Sequence, residues 1–344
     1  MIAIFTDRFE GISGFPSQPV DNQPVHVLGT LLLTPVSAGL EHLYCQVSNQ
    51  GFHRVDALRR NKQVIHCADW RYRIRWMSNP PESCCDFAGS YELSRLPEIK
   101  KLEQIALGCD YGGTSWTTRQ QADGILESLQ LGSTNRLLDI GSGAGWPGLL
   151  LGKLSSCEVT LLDIPLNALV QAAARAADDG MMDRVGIVSA SGTALPFSDQ
   201  TFDRISHSDV LCCLPEKLEL LQESRRVARD NARMHFSVIL PAEGLPESEH
   251  EQVLETGPPF IGVDGSYSEL LQSAGWRVAD YQDVTAEYRN SLQRLVDGIY
   301  KNEKELADLL GEDELIAKRE HRKDQIALIT NGSMRREAFV AIAA

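Results

Sequence analysis

The chain has 344 residues, enough to bury a real core as one large α/β domain with additions or as two modest ones. A hydrophobic content of 43% excludes a disordered chain, and no uninterrupted apolar run approaches the ~18–20 residues of a membrane span. The formal net charge of −14 argues against nucleic acid as the main partner, because phosphate backbones are gripped by clustered Lys and Arg.

The opening MIAIFTDRFEG places Asp7, Arg8 and Glu10 after a few apolar residues, unlike a secretory signal, so the cytoplasm is the expected location. The first 76 residues hold eight Lys/Arg and six Asp/Glu, a net of +2 that leaves −16 for the remainder, and include His26, His42, His53 and His66. Apolar runs at 25–33 and 63–67 suggest strands, while RYRIRW at 71–76 has no evident partner. The polar, Pro-rich break MSNPPESCC begins with Met77. Two readings stay open: a small β-rich accessory module, or weakly ordered chain upstream of a natural start at Met77. The second is the expectation adopted, with 1–95 an extension and 96–344 the main domain. Eight cysteines include the adjacent pairs Cys84-Cys85 and Cys212-Cys213. Neither pair has zinc-binding CxxC spacing and no His cluster adds ligands, so reduced, structural thiols and no metal are expected.

From Pro97 the pattern sharpens. PEIKKLEQIALG reads as an amphipathic helix stopped by Gly108, and Thr118 caps a second helix that ends before Gly132. Short β-type runs then alternate with helices: RLLDI (136–140), a helix from Trp146, VTLLDI (159–164), a helix over 166–179, VGIVSA (185–190), FDRISHSDV (202–210), a helix over 215–229 and RMHFSVIL (233–240). YSELLQSAG follows as a helix, WRVADYQDV as a strand, a charged helical insertion spans 286–325, and REAFVAIA closes the chain. Apolar strands alternating with helices describe an α/β fold, a parallel sheet covered on both faces.

The chemistry concentrates in RLLDIGSGAGWPGLLLGK (136–153). Gly141, Gly143 and Gly145 turn a strand directly into a helix, permitting a tight bend and close approach of a ligand to the backbone. A dinucleotide fingerprint would place a third glycine at 146, where Trp146 stands, so a nicotinamide-dependent oxidoreductase is disfavoured. Asp139, two residues before the first glycine, would repel pyrophosphate but suits a cationic amino-acid moiety, directly or through water. Asp163 ends the next strand, where a carboxylate can accept both hydroxyls of a ribose.

These residues carry a resemblance. LLDIGSGAG resembles motif I of the S-adenosylmethionine-dependent methyltransferases, the acidic end of VTLLDI is similar to their ribose-binding motif, and ALPFSDQTFDRISHSDVLCCLP resembles the stretch from the adenine loop through the fourth strand. The resemblance implies a Rossmann-like, seven-stranded, mostly parallel sheet with cap insertions near 241–267 and 286–333. It implies S-adenosyl-L-methionine as cofactor: Asp139, Gly141, Gly143 and Gly145 about its methionine portion, Asp163 and Ile164 at the ribose, Ser191 and Gly192 near the adenine, and Asp209 at the cofactor amino group or substrate pocket. The segment CDYGGTSWTTRQQADGIL and the tail from DVTAEYRNSL are similar in layout to the lid and tail of phosphoethanolamine methyltransferases, where Tyr111 matches a catalytic tyrosine and Cys213 aligns with its partner histidine. The family's phosphate-gripping cluster falls near GPPFIG (257–262), which offers no cation, so a less polar amine, sulfide or hydroxylated ring is the expected acceptor. Tyr111, Cys213 and His207 are the candidate catalytic groups, and Ser115, Trp116 and Thr117 the lid that excludes water. Trp146, Tyr267 and Tyr288 fit core packing or the pocket wall, and the charged stretch 301–325 fits a solvated helical face, one of whose basic residues could reach an acidic substrate. Methyl transfer to the N, S or O of a small molecule is the expected function, with a repurposed cofactor-binding protein as the alternative. Oligomeric state is left open.

Overall fold

The computed structural model describes residues 64–66, 73–75, 87–112 and 114–344. Val64–His66 (β1) and Arg73–Arg75 (β2) form an antiparallel pair with Val64 opposite Arg75, so RYRIRW does find a partner, in QVIHC. The other expectations for 1–86, the start at Met77 among them, lie outside the described residues.

Among the described residues three helices precede the main sheet: α1 (Phe87–Leu93), α2 (Pro97–Leu107) and α3 (Arg119–Ser128). Pro97 suits the first turn of α2, whose N–H groups lack helical partners anyway, and Gly108 ends that helix at φ 75°. Thr118 caps α3 reciprocally with Gln121: the Gln121 N–H donates to the Thr118 hydroxyl, and the Thr118 N–H to the Gln121 side chain.

The sheet comprises β3 (Arg136–Ile140), β4 (Glu158–Asp163), β5 (Val185–Ser189), β6 (Phe202–Ser208), β7 (Ala228–Pro241), β8 (Trp276–Asp283) and β9 (Met334–Ala343). Their spatial order is β5-β4-β3-β6-β7-β9-β8, all pairings parallel except that β9 opposes both neighbours. The crossovers are α4 (Gly148–Ser155), α5 (Leu166–Asp178) and α6 (Lys217–Val227); α4 begins two residues later than the sequence pattern suggested. Between β7 and β8 come α7 (Glu247–Thr256) and α8 (Tyr267–Ser273), and between β8 and β9 come α9 (Thr285–Lys301), α10 (Glu303–Leu310) and α11 (Glu312–Thr330).

Both faces of the sheet are covered, as its alternating side chains require. Leu137 packs in one apolar cluster with Leu149 of α4 and Ala172 of α5, while Leu138 and Ile140 join the larger cluster on the opposite face. Strand order reverses between β3 and β6, and a crevice opens outside their carboxyl ends at such a point. Among the described residues no helix is long and apolar enough to cross a membrane, and no three His, Cys, Asp or Glu side chains could together hold a metal ion.

Candidate active site

A cavity of about 660 Å³ occupies this crevice, with Gly141 after β3, Asp163 at the end of β4, Ile164 just beyond it, and Asp209 after β6 in its wall. The chain needs glycine at the turn because Gly141, Gly143 and Gly145 take φ of 66°, 52° and 96°. There is no room for a side chain either: a Cβ on Gly143 would lie 2.5 Å from the Tyr91 Oη, and one on Gly141 2.5 Å from a Val210 methyl. Tyr91, from α1, therefore lies directly on the turn, and its hydroxyl shares a 3.1 Å hydrogen bond with Thr114. The boundary expected at 95/96 passes just behind a helix that packs on the site.

The two aspartates flanking the turn have separate roles. Asp139 is 1% exposed; it accepts from the Ser206 hydroxyl at 2.6 Å and from the Gly148 N–H at 3.1 Å. Both oxygens are thus engaged inside the protein, tying β3 to β6 and to the first turn of α4, and Asp139 is not in the cavity wall. Burial pushes its pKa up to about 7, against the pull of those two donors. Asp163 does line the cavity, held by the N–H groups of Gly143 and Ile164, each at 2.7 Å. Burial raises its pKa to about 6, with the two N–H bonds opposing. Ser191 and Gly192, beyond β5, stand outside the cavity wall; the Ser191 hydroxyl pairs with that of Thr193 at 2.7 Å.

Asp209, in the cavity wall as expected for the substrate pocket, is also the centre of a buried network. The Arg336 Nε donates to it at 2.8 Å and Nη2 at 3.1 Å, while the Trp116 N–H reaches it at 2.8 Å and the hydroxyls of Ser115 and Ser237 at 3.2 Å each. Arg336 is 1% exposed and also donates to the Thr117 hydroxyl at 3.0 Å. Burial alone would raise the Asp209 pKa; the guanidinium and the lid donors outweigh it and hold the carboxyl below its ordinary value. The pair fastens the lid, 115–117, to the last strand. The Trp146 indole adds a bond to the Thr117 carbonyl at 2.8 Å, which gives Trp146 a structural task.

Of the three catalytic candidates only Cys213 reaches the cavity. It is half-buried, and its thiol and that of Cys212 both donate to the Asp209 carbonyl, at 3.4 and 3.3 Å. His207 is 0% exposed, stacked on Phe236 at 4.8 Å, with neither ring nitrogen hydrogen-bonded; burial drives its pKa down to about 3. It points into the core as strand alternation allows, and serves packing. Tyr111 lies outside the cavity wall, its ring 4.9 Å from Trp146 and 4.0 Å from the Arg175 guanidinium, and burial raises its pKa.

The far wall joins the expected lid residue Trp116 and the expected wall-or-core residue Tyr288 to Arg322, from the stretch read as a solvated face. Trp116 meets Tyr288 of α9 edge-on at 5.1 Å, and Arg322 of α11 lies 5.7 Å from the Trp116 ring. Arg322 is 2% exposed, so α11 is not a wholly solvated face. A signal was present: Leu315, Arg322 and Ile329 recur every seven residues, and all three are buried. Arg336, an arginine inside an apolar closing strand, was an equally visible flag. Tyr91 had none.

Residues 138–236 match a family described as a methyltransferase domain. Methyltransferase GfsG of Streptomyces halstedii is 26% identical over 170 residues (48% of this chain, 61% of that protein). The 27-O-demethylrifamycin SV methyltransferase of Amycolatopsis mediterranei is 28% identical over 178 residues (51% of this chain, 65% of that protein). The chain thus spans less than two thirds of the length of either relative. Phosphoethanolamine N-methyltransferase 2 of Haemonchus contortus, solved with phosphomonomethylethanolamine and S-adenosylhomocysteine, superposes with a TM-score of 0.64 at 14% identity, over 78% of this chain and 62% of that one. Over its central strands the chain therefore matches the methyltransferase-domain family, and it has the Rossmann-like fold of the S-adenosylmethionine-dependent methyltransferases.

Proposed function

We propose that the protein transfers a methyl group from S-adenosylmethionine to an N, S or O atom of a small molecule. The observation that carries this reading is Asp163: a carboxylate at the end of β4, aimed into a 660 Å³ cavity and oriented by two backbone N–H groups. Such a carboxylate accepts from both hydroxyls of a ribose, and the raised pKa marks a half-buried acid that two hydroxyl donors would favour in its ionised form. The bare backbone at Gly141 lets a nucleoside approach closely, and Ile164 offers an apolar surface beside it. The residues present fit the cofactor.

When bound, S-adenosylmethionine supplies an electrophilic sulfonium methyl. The chain's own part is positioning and exclusion of water. Asp163 fixes the nucleoside end. The lid, fastened through Asp209 and Arg336, sets Trp116 over the acceptor side. With the cofactor bound, an acceptor aligned in this cavity would take up the methyl together with its positive charge as S-adenosylhomocysteine is released, and any proton would be lost only once the product reaches solvent. The placement of Tyr111 and His207 supports a mechanism with neither as base. The net charge of −14 weighs against nucleic acid as the acceptor, which favours a small molecule.

Isothermal titration calorimetry with S-adenosylhomocysteine tests the reading. Wild type is expected to bind, and Asp163→Ala to lose about 100-fold or more in affinity, the scale of two charge-assisted hydrogen bonds at about 1.4 kcal/mol per tenfold. No binding by wild type, or full binding by the variant, overturns it. Binding without S-adenosylhomocysteine release from S-adenosylmethionine across amines, thiols and phenols would favour a repurposed binding protein.

A further inference from the structure

Two loops make up one side of the cavity. The short turn Leu211–Cys213 after β6, continued by Leu214, brings Cys213 and Leu214 to the wall, and the loop after α7 brings Gly257, Pro258 and Pro259. Lys217, the first residue of α6, joins the two. Its ammonium donates to the Leu214 carbonyl at 2.9 Å and to the Phe260 carbonyl at 2.6 Å, while the Phe260 N–H donates to the Cys212 carbonyl at 3.1 Å. Both backbone groups of Phe260 are thereby fastened to the segment after β6. This is a costly way to join two loops. Lys217 is 7% exposed, and the acceptors of its two hydrogen bonds are neutral carbonyls, so the charge gives up water without gaining a carboxylate. It also sits in the first turn of a helix, where the unpaired N–H groups disfavour a cation. Burial pulls its pKa down, opposed by Cys212, Cys213 and Glu216. A methionine of similar length would fill the space without either cost. What the ammonium supplies is stiffness: charge-assisted bonds are shorter and stronger than neutral ones, and two from one nitrogen fix the spacing of the loops.

We infer that Lys217 is a positioning residue for the methyl acceptor: its ammonium sets the spacing of the two loops against which the acceptor lies. This deepens the methyltransferase reading and rests on it. Strand order divides the crevice into two halves. Asp163, the nucleoside carboxylate, ends β4 on one side of β3, whereas one loop follows β6 and the other the helix after β7, on the other side. With the nucleoside on the β4 side, the acceptor takes the β6–β7 side, walled by Val210, Leu214, Pro258 and Pro259. Lys217 is not in the cavity wall, so it acts through these loops and not by touching the substrate. In-line transfer tolerates little misplacement, and a wall displaced by about an ångström weakens the hold on the acceptor while leaving the nucleoside half as it was.

Calorimetry on the full chain loaded with S-adenosylhomocysteine tests this, with p-cresol, hexylamine and hexanethiol as probes. At least one should bind wild type, and Lys217→Met should weaken it about tenfold or more. Lys217→Arg, which keeps a charged donor, should return that probe to within about threefold of wild type. Both variants should hold S-adenosylhomocysteine within about threefold of wild type, because Asp163 and the glycines lie on the other half. For any probe that is methylated, the loss should appear in KM, with kcat within about threefold. Probe affinity unchanged in Lys217→Met, a loss that Lys217→Arg does not reverse, a loss that falls on kcat, an equal loss for S-adenosylhomocysteine, or no probe bound by loaded wild type overturns the inference. Failure of wild type to bind S-adenosylhomocysteine at all would instead sink the methyltransferase reading. Should Lys217→Met fail to fold, Lys217→Gln, too short to reach both carbonyls, takes its place.

Discussion

In one part of the cavity wall Gly141 and Asp163, backed by Gly143, come from two successive strands, whereas another part assembles Trp116, Tyr288 and Arg322 from the segment 115–117 and two insertion helices. The first group is held by short-range bonds, such as that between the Gly143 N–H and Asp163. The second is held by long-range fastenings, chief among them Asp209 with Arg336, which joins 115–117 to the last strand, and the Trp146 indole on the Thr117 carbonyl. The difference teaches that one part of the wall follows from neighbouring strands, whereas the other depends on helices inserted between β8 and β9 and on a segment that precedes β3.

Breaking the long-range fastening should have the largest effect. Arg336→Met leaves Asp209 buried without its cation, and the expected loss is about 3–5 kcal/mol of unfolding free energy, read from urea titrations. A loss under about 1 kcal/mol would mean the lid is held by other contacts. The double variant Arg336→Met with Asp209→Asn should lose less than the sum of the singles, because the two side chains share one interaction.

A smaller effect isolates the nucleoside end. The Asp163 pKa is about 6 in the free protein, and ribose hydroxyls favour the carboxylate over the acid. Protonation therefore opposes binding: affinity for S-adenosylhomocysteine should be level above about pH 7 and fall towards tenfold per pH unit as pH drops below about 6. Asp163→Asn should remove that pH dependence along with most of the affinity. A wild-type profile flat from pH 5 to 8 would show that Asp163 takes no part. Smallest of all should be His207→Leu. The imidazole is sealed in the core without hydrogen bonds, so turnover is expected to change less than about threefold. A pH–rate profile that lost a limb in this variant would restore His207 as a base.

The comparison also explains what was legible beforehand. Asp163 and the glycines were readable because a strand end, a tight bend and a helix start are local events with local residue requirements. Asp139 was correctly placed beside the turn, yet its carboxylate faces Ser206 and Gly148 instead of the cavity, a choice made by the neighbouring strand. Tyr111 matched a family position, but its ring settled against Trp146 and Arg175, leaving Tyr91 of α1 on the turn.

By itself the sequence determined the alternation of strands and helices, the glycine bend and the acid on the next strand, because periodicity and backbone sterics act within a few residues. Only the tertiary structure decided that Asp209 meets Arg336, that His207 is entombed, and that Arg322 turns inward beside Tyr288. Those outcomes depend on burial, and whether a charged side chain is buried is set by which distant segment packs against it.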